Sequence, residues 1–256
     1  MSWTHPLPAD LPAGRLITPT AGDRARYWLS TAPARAGQWA RRRADHRQTG
    51  LWPLLTVPDT GLADPSSLFM DDHPGISSPD DHDAATVLSR WWHQLLPEED
   101  EDDSSHRRFL DPVGTTWPGT APPQVHHDPA DEIADWFAEQ LRDDETRLAL
   151  VPAPTGADTL TALAWTGPVN HDNDTARFTA VLRDWQSRFG ARVVALGPAT
   201  LYVSVAAPPI TTEDTLLVAA EHLAFCPDNV WQGNHSTLGE YAEALLGTRG
   251  WAFWWD

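Results

Sequence analysis

The chain has 256 residues and a net charge of −18, and it is long enough for one large or two modest domains. All 18 basic residues are arginines, which excludes chemistry that needs a lysine amine, such as a Schiff base or a phosphate-loop lysine. The single cysteine, Cys226, excludes an intramolecular disulfide and a multi-cysteine metal site.

The acidic surplus lies mostly between residues 51 and 145. Because such a field repels phosphates and attracts basic surfaces, we expect no nucleic-acid partner and a basic protein as the partner class. The N-terminal residues lack the pattern of a secretion signal, and no apolar run is long enough for a membrane span. We therefore expect a cytoplasmic protein without a membrane partner, and the oligomeric state stays open.

Residues 1–96 read as an N-terminal α/β region whose independent folding stays open. Its Pro-rich start is followed by a predicted strand at residues 24–31 and an Arg-rich helix at 35–48. The apolar run at 51–57 predicts a buried strand, although Pro53 favours an edge or a bulge. The apolar spacing of residues 83–96 predicts an amphipathic helix.

Residues 97–128 are the predicted linker, rich in acidic residues and proline. Their run of six consecutive acids at 98–103 contains no apolar residue, which is typical of a solvated connection.

Residues 129–256 form the predicted C-terminal domain. Helices are expected at 130–141, 157–164, 175–189, 212–225 and 237–246, and strands at 148–151, 192–196, 201–206 and 251–256. The strongest pattern is the helix at 175–189, which Gly190 follows where a helix end favours positive φ. This order of elements predicts an α+β fold with an antiparallel or mixed sheet and helices packed on one side, reminiscent of ferredoxin-like topology.

Several motifs of this domain occur in a fixed order: NHDND, FTAVLRDWQSRFGARVV, TLYVSVAAPP, AAEHLAFCPDNVWQG, TLGEYAEALLG and the closing WAFWWD. Together they resemble the uncharacterised bacterial family called domain of unknown function 4253, over about residues 146–256. The resemblance implies a compact C-terminal domain and supplies no established activity and no agreed catalytic residues.

The segment EHLAFCPDN at 221–229 is the candidate site, because it places several polar side chains around the end of an apolar helix. Its candidate catalytic residues are Glu221, His222, Asp228 and Asn229. A nucleophilic pair of Cys226 with His222 is geometrically possible, since residues four apart share a helix face. However, the partial negative charge of a helix C-terminus raises a thiol pKa, which favours an inert cysteine.

Weaker motifs have simpler structural interpretations. The run HDND at 171–174 offers alternating oxygen ligands for calcium, but a helix N-cap by Asn173 or Asp174 is the favoured reading. The pair His126 and His127 lacks a matching ligand pair, so we predict no metal and no cofactor site. The arginines at 41–43 beside Trp39 could contact phosphate, but a solvated helix face is the favoured reading.

The leading hypothesis is a non-catalytic protein-binding module, of immunity or regulatory type. The alternative is a hydrolase-like enzyme in which Glu221 or His222 is the general base and Asp228 and Asn229 orient the substrate. A third hypothesis is ligand binding on exposed members of the 14 tryptophans, most of which are predicted to be core residues. These include Trp91, Trp136, Trp185, Trp251 and Trp255.

Overall fold

The computed structural model describes residues 3–19, 24–58, 76–96 and 104–256, without the side chains of 104–106. Its strands are β1 (Gly14–Ile17), β2 (Tyr27–Pro33), β3 (Leu51–Thr56), β4 (Arg147–Pro152), β5 (Arg192–Leu196), β6 (Thr200–Ser204) and β7 (Gly250–Trp254). Its helices are α1 (Gln38–Thr49), α2 (Ala84–Leu95), α3 (Ser104–Phe109), α4 (Ala130–Leu141), α5 (Thr159–Leu163), α6 (Thr175–Phe189), α7 (Thr212–Phe225), α8 (Pro227–Trp231) and α9 (Leu238–Leu245).

The seven described strands form one mixed sheet in the order β1-β2-β4-β3-β5-β6-β7. Only the pairing of β3 with β5 is parallel. This confirms the α+β class, although the strand order gives no support to the ferredoxin-like comparison. Since β4 lies between β2 and β3, the strands of the N-terminal region and of the C-terminal domain share one sheet.

Helices cover both faces of the sheet at its centre. Every residue of β3 is buried, at odd and even positions alike, as expected for a strand with a layer on each side. Helices α1 and α4 contact each other and pack on β3 and β5, whereas α2, α5, α6 and α7 form a separate connected group. The sequence predicted helices on one side of the sheet, but at the centre of the sheet helices pack on both sides.

Local signals set the boundaries of the longer helices. The side chain of Asp174 caps α6 by accepting a hydrogen bond from the Ala176 N–H, and Gly190 ends the helix with φ at 61°. Thr211 and Thr237 cap α7 and α9 in the same way. These contacts confirm the predicted helix starts and the N-cap role of Asp174.

Several short elements were not predicted from the sequence. They are β1, a 3-10 turn at Pro79–Asp81, α3 and α8. Asp228 and Asn229 lie in α8, which Pro227 begins. Proline is well suited to a first helical position because its missing N–H would have no helical partner there.

The second part of the predicted linker packs against the C-terminal elements. Ala121 is 2% exposed, and the Gln124 N–H donates to the Arg188 carbonyl at 3.0 Å. The acidic run at 98–103, which was predicted to be solvated, lies outside the described ranges. Across the described ranges, no helix is both long and apolar enough to cross a membrane.

Candidate functional site

Helix α7 carries the first part of the candidate segment into the core. Apart from its first turn, most of its residues are buried, so both Glu221 and His222 are 0% exposed. Adjacent helix residues point about 100° apart, and the two side chains accordingly have different neighbours.

Glu221 forms a buried ion pair with Arg188 of α6. The two guanidinium NH groups donate to Oε1 at 2.9 Å and to Oε2 at 2.6 Å. The Trp185 indole N–H donates to Oε2 at 2.7 Å, and the Ala121 backbone N–H donates to Oε1 at 2.8 Å. Four donors therefore satisfy a carboxylate that has no solvent contact, and neither oxygen is free to accept a proton from a substrate.

Arg188 is held by further partners around this carboxylate. It donates to Asp184 on its own helix and to the Ala121 carbonyl. Although burial by itself lowers the pKa of Arg188, its hydrogen bond and charge interaction with Glu221 raise it. The guanidinium thus stays charged and serves as the counter-ion that a buried carboxylate requires.

His222 lies in a cage of aromatic rings. Its ring centroid is 4.5 Å from Trp251, 4.8 Å from Phe253 and 5.3 Å from Trp185. Nδ1 is hydrogen-bonded to the Tyr241 hydroxyl at 2.9 Å, while Nε2 has no described partner. Burial lowers the pKa of His222 to about 3, so the imidazole is neutral at physiological pH and out of reach of a substrate.

Cys226 follows α7 and is also fully buried. Its thiol donates to the Trp254 carbonyl at 2.9 Å, and burial raises its pKa. Neither ring nitrogen of His222 is hydrogen-bonded to this thiol, because Nδ1 is bonded to Tyr241 and Nε2 has no described partner. The contacts agree with the expectation of an inert cysteine.

Asp228 and Asn229 are partly exposed in α8. The carboxylate of Asp228 accepts the Asp256 N–H at 3.0 Å, and the amide of Asn229 lies 3.5 Å from the Tyr241 hydroxyl. The structure therefore brings His222 and Asn229 together at Tyr241, but it directs Glu221 towards α6. This separation counts against a hydrolase in which all four candidates share one cleft.

The HDND run at 171–174 has a structural role as well. Arg90, Trp91 and Arg177 all donate to the Asp172 carboxylate. Burial raises the pKa of Asp172, but the hydrogen bonds from the Asp174 N–H, Arg177 and Trp91 and the charge of Arg177 lower it overall. In the described part of the chain, no group of three His, Cys, Asp or Glu side chains is arranged to hold a metal ion.

An open hollow of about 350 Å³ lies elsewhere on the surface, between the strip before α4 and the loop after β6. We call it the apolar hollow; its lining residues are Gln124, Val125, His127, Ala206, Ala207, Pro208, Ile210, Gly247 and Arg249. Val125 is 74% exposed and Ile210 is 69% exposed. Two large apolar side chains on the lining are therefore exposed, and Leu246, next in sequence to the lining residue Gly247, is 51% exposed.

Two carboxylates contact lining residues of the apolar hollow. Asp128 pairs with Arg249 at 2.6 Å, and Asp214 accepts the Gln124 side-chain amide at 3.2 Å. Sequence patterns do not reveal this site, because Val125 and Ile210 are isolated apolar residues in irregular segments. The only sequence signal is an apolar residue between polar and proline neighbours, which is common on ordinary surfaces.

Residues 147–256 match the family described as Domain of unknown function (DUF4253). This match confirms the family that the motifs suggested for that part of the chain. No curated protein and no solved structure matches the chain. The match covers β4 to β7 and the segment 221–229, whereas the strip 124–127 of the apolar hollow lies before it.

If the buried pair is structural, Glu221→Gln should lower the free energy of unfolding by about 3–5 kcal/mol, because Arg188 loses its main counter-ion. Urea denaturation at pH 7 measures this change. The exposed Glu132 provides the control, and Glu132→Gln should change stability by less than about 0.5 kcal/mol. A Glu221→Gln protein as stable as the wild type would contradict the structural role.

The low pKa of His222 predicts a pH-dependent stability. An unfolded histidine takes up a proton near pH 6.5, but His222 in the folded protein does so only near pH 3. Stability should therefore fall as the pH drops from about 6.5 towards 3, with His222 alone costing about 2 kcal/mol at pH 5.

The measurement is the difference in unfolding free energy between pH 7 and pH 5. His222→Phe should reduce this difference by about 2 kcal/mol, whereas the exposed-residue control His127→Gln should retain the wild-type difference. Equal pH dependence in the wild type and in His222→Phe would show that His222 is not buried as a neutral ring.

Proposed function

We propose that this protein is a cytoplasmic, non-catalytic binding module that captures a basic protein partner through the apolar hollow. The observation that carries the proposal is that two strongly exposed apolar side chains, Val125 and Ile210, line one open hollow, with the exposed Leu246 next in sequence to its lining residue Gly247. Contiguous exposed apolar surface with a polar rim is typical of interaction sites.

The hollow has the dimensions of an anchor pocket. Its volume of about 350 Å³ is large enough for one or two apolar side chains of a partner, and few such anchors commonly carry most of a binding energy. The lining residues Ala206, Ala207 and Pro208 are small or rigid. Fixing their side chains when a partner binds therefore costs little conformational entropy.

Charge favours a basic partner. Asp128 and Asp214 stand next to the hollow, and Arg249 is already paired with the former. The chain as a whole carries −18, which accelerates encounter with a positively charged protein and repels an acidic one. An immunity or regulatory protein that neutralises a basic partner fits this combination.

The hydrolase alternative has less support. Its proposed general bases, Glu221 and His222, are fully buried and face different partners. The ligand-binding alternative retains one exposed tryptophan, Trp136, which is 50% exposed on α4. A single ring without a described cleft offers no stacking platform, so protein binding is preferred.

Affinity capture with the full chain as bait tests the proposal. Native lysate is passed over it at low and at high salt, the retained proteins are identified by mass spectrometry, and each is then purified and titrated. We expect a partner with a basic surface whose affinity falls with salt because the encounter is electrostatic.

Charge-neutral variants locate the binding surface. Val125→Ser combined with Ile210→Ser should weaken the partner's affinity at least about tenfold, and the matched control Val169→Ser, at an exposed valine away from the hollow, should leave it unchanged. Unaltered affinity in the double variant would show that the interface lies elsewhere on the protein. Failure to retain any basic partner at low salt would contradict the proposed function itself.

A further inference from the structure

One part of the apolar hollow is polar and offers free hydrogen-bond acceptors. It consists of Gln124, which lines the hollow, and Asp214 in the first turn of α7, which is hydrogen-bonded to it. We call these two residues the acceptor pair. Both are partly buried, and their own hydrogen bonds determine which groups of a partner can lie against them.

The side-chain amide of Gln124 is fixed by two hydrogen bonds that it donates. Its Nε2 group donates to the Pro122 carbonyl at 3.1 Å and to Oδ2 of Asp214 at 3.2 Å. Because both of these partners can only accept, the nitrogen of the amide must face them and the oxygen must lie on the other side. No described residue donates a hydrogen bond to that oxygen, Oε1.

The carboxylate of Asp214 has one occupied and one free oxygen. Oδ2 accepts the Thr211 hydroxyl at 2.8 Å in addition to the Gln124 amide, whereas Oδ1 receives no hydrogen bond from the described residues. Both donors to Oδ2 are neutral, and none of the described arginines or histidines forms an ion pair with Asp214. In the described part of the chain, the negative charge of Asp214 therefore has no counter-ion.

The ionisable side chains of the lining do not compensate this charge. They are His127 and Arg249, and Arg249 pairs with Asp128 at 2.6 Å. The apolar hollow thus combines exposed apolar side chains with two free acceptor oxygens and one negative charge that no described cation neutralises.

We propose, resting on the function proposed above, that the basic partner places a large apolar side chain in the hollow and a neighbouring arginine on the acceptor pair. A guanidinium group has five N–H donors and no acceptor, which complements two oxygens beside an amide whose donors are all in use. It is also more weakly hydrated than a lysine ammonium group, so moving it onto a partly buried carboxylate is less costly. The partner is recognised by this combination of groups and not by net positive charge alone.

Blocked dipeptides are suitable probes, since they carry only the two groups that recognition requires. Acetyl-Leu-Arg-amide and acetyl-Arg-Leu-amide present both groups in either order, acetyl-Leu-Gln-amide lacks the charge, and acetyl-Ser-Arg-amide lacks the apolar anchor. Each is titrated into the isotope-labelled full chain at constant ionic strength. NMR shifts of the Val125 and Ile210 methyl groups and of the Gln124 side-chain amide report binding in the hollow.

We expect at least one of the two peptides that carry leucine and arginine to bind with a dissociation constant on the order of 1 mM. Acetyl-Leu-Gln-amide should bind about tenfold more weakly, because it lacks one charged hydrogen bond. Acetyl-Ser-Arg-amide should also bind at least about tenfold more weakly, because it buries no large apolar side chain.

Asp214→Asn tests the charge of the acceptor pair while keeping the shape of the side chain. It should weaken the peptide with leucine and arginine about tenfold and leave acetyl-Leu-Gln-amide unchanged. The matched control Glu213→Gln removes the same charge from the neighbouring exposed position of the same helix turn and should change neither affinity. Equal weakening by the two variants would show a general effect of net charge and overturn the proposal.

Two further results would overturn the arginine contact. One is equal affinity for acetyl-Leu-Arg-amide, acetyl-Arg-Leu-amide and acetyl-Leu-Gln-amide, and the other is no shift at Val125 or Ile210 with either leucine–arginine peptide up to about 20 mM. A captured basic partner whose affinity falls in the Val125→Ser and Ile210→Ser double variant but not in Asp214→Asn would keep the proposed function and exclude the arginine contact. Failure of the proposed function is thereby distinguished from failure of this recognition mode.

Discussion

The carboxylate of Glu221 has no contact with solvent and lies among aromatic side chains, where an unpaired charge would be prohibitively costly. Its two oxygens are satisfied by Arg188 and Trp185 of α6 and by the amide of Ala121. A buried pair of this kind contributes little net stability compared with an apolar substitute, but losing one partner is expensive. The positions of α6, α7 and the strip before α4 therefore depend on one another.

This interaction also organises the surface where we place the function. The Arg188 side chain donates to the Ala121 carbonyl, and its backbone carbonyl accepts the Gln124 N–H. The strip that follows, with Val125, is thereby held against the C-terminal elements and forms one wall of the apolar hollow. Glu221 and His222, two of the residues that suggested catalysis, are thus engaged in structural contacts, and Glu221 holds the strip that lines the surface proposed for binding.

The sequence predicted those parts of the fold that local patterns determine. Helix α6, its cap at Asp174 and its end at Gly190 follow from apolar spacing and capping preferences, and the structure confirms them. The insertion of β4 between β2 and β3 depends on long-range pairing, which no local pattern records. Trp136 was wrongly predicted as a core residue: it lies about 200° around the helix from the buried Ala134, given 3.6 residues per turn. Similarly, the sequence showed the polar segment 221–229, but it did not show that Glu221 pairs with Arg188 on another helix.

Native-state hydrogen exchange at the Ala121 amide tests the central claim most directly. Ala121 belongs to no helix or strand, so an ordinary loop amide at this position would exchange within the time of local fluctuations. If its bond to Glu221 ties the strip to the core, the amide should exchange only through global unfolding, with the same free energy as the central strands. Exchange as rapid as that of exposed loop amides would show that the strip opens independently and that the buried carboxylate does not hold it.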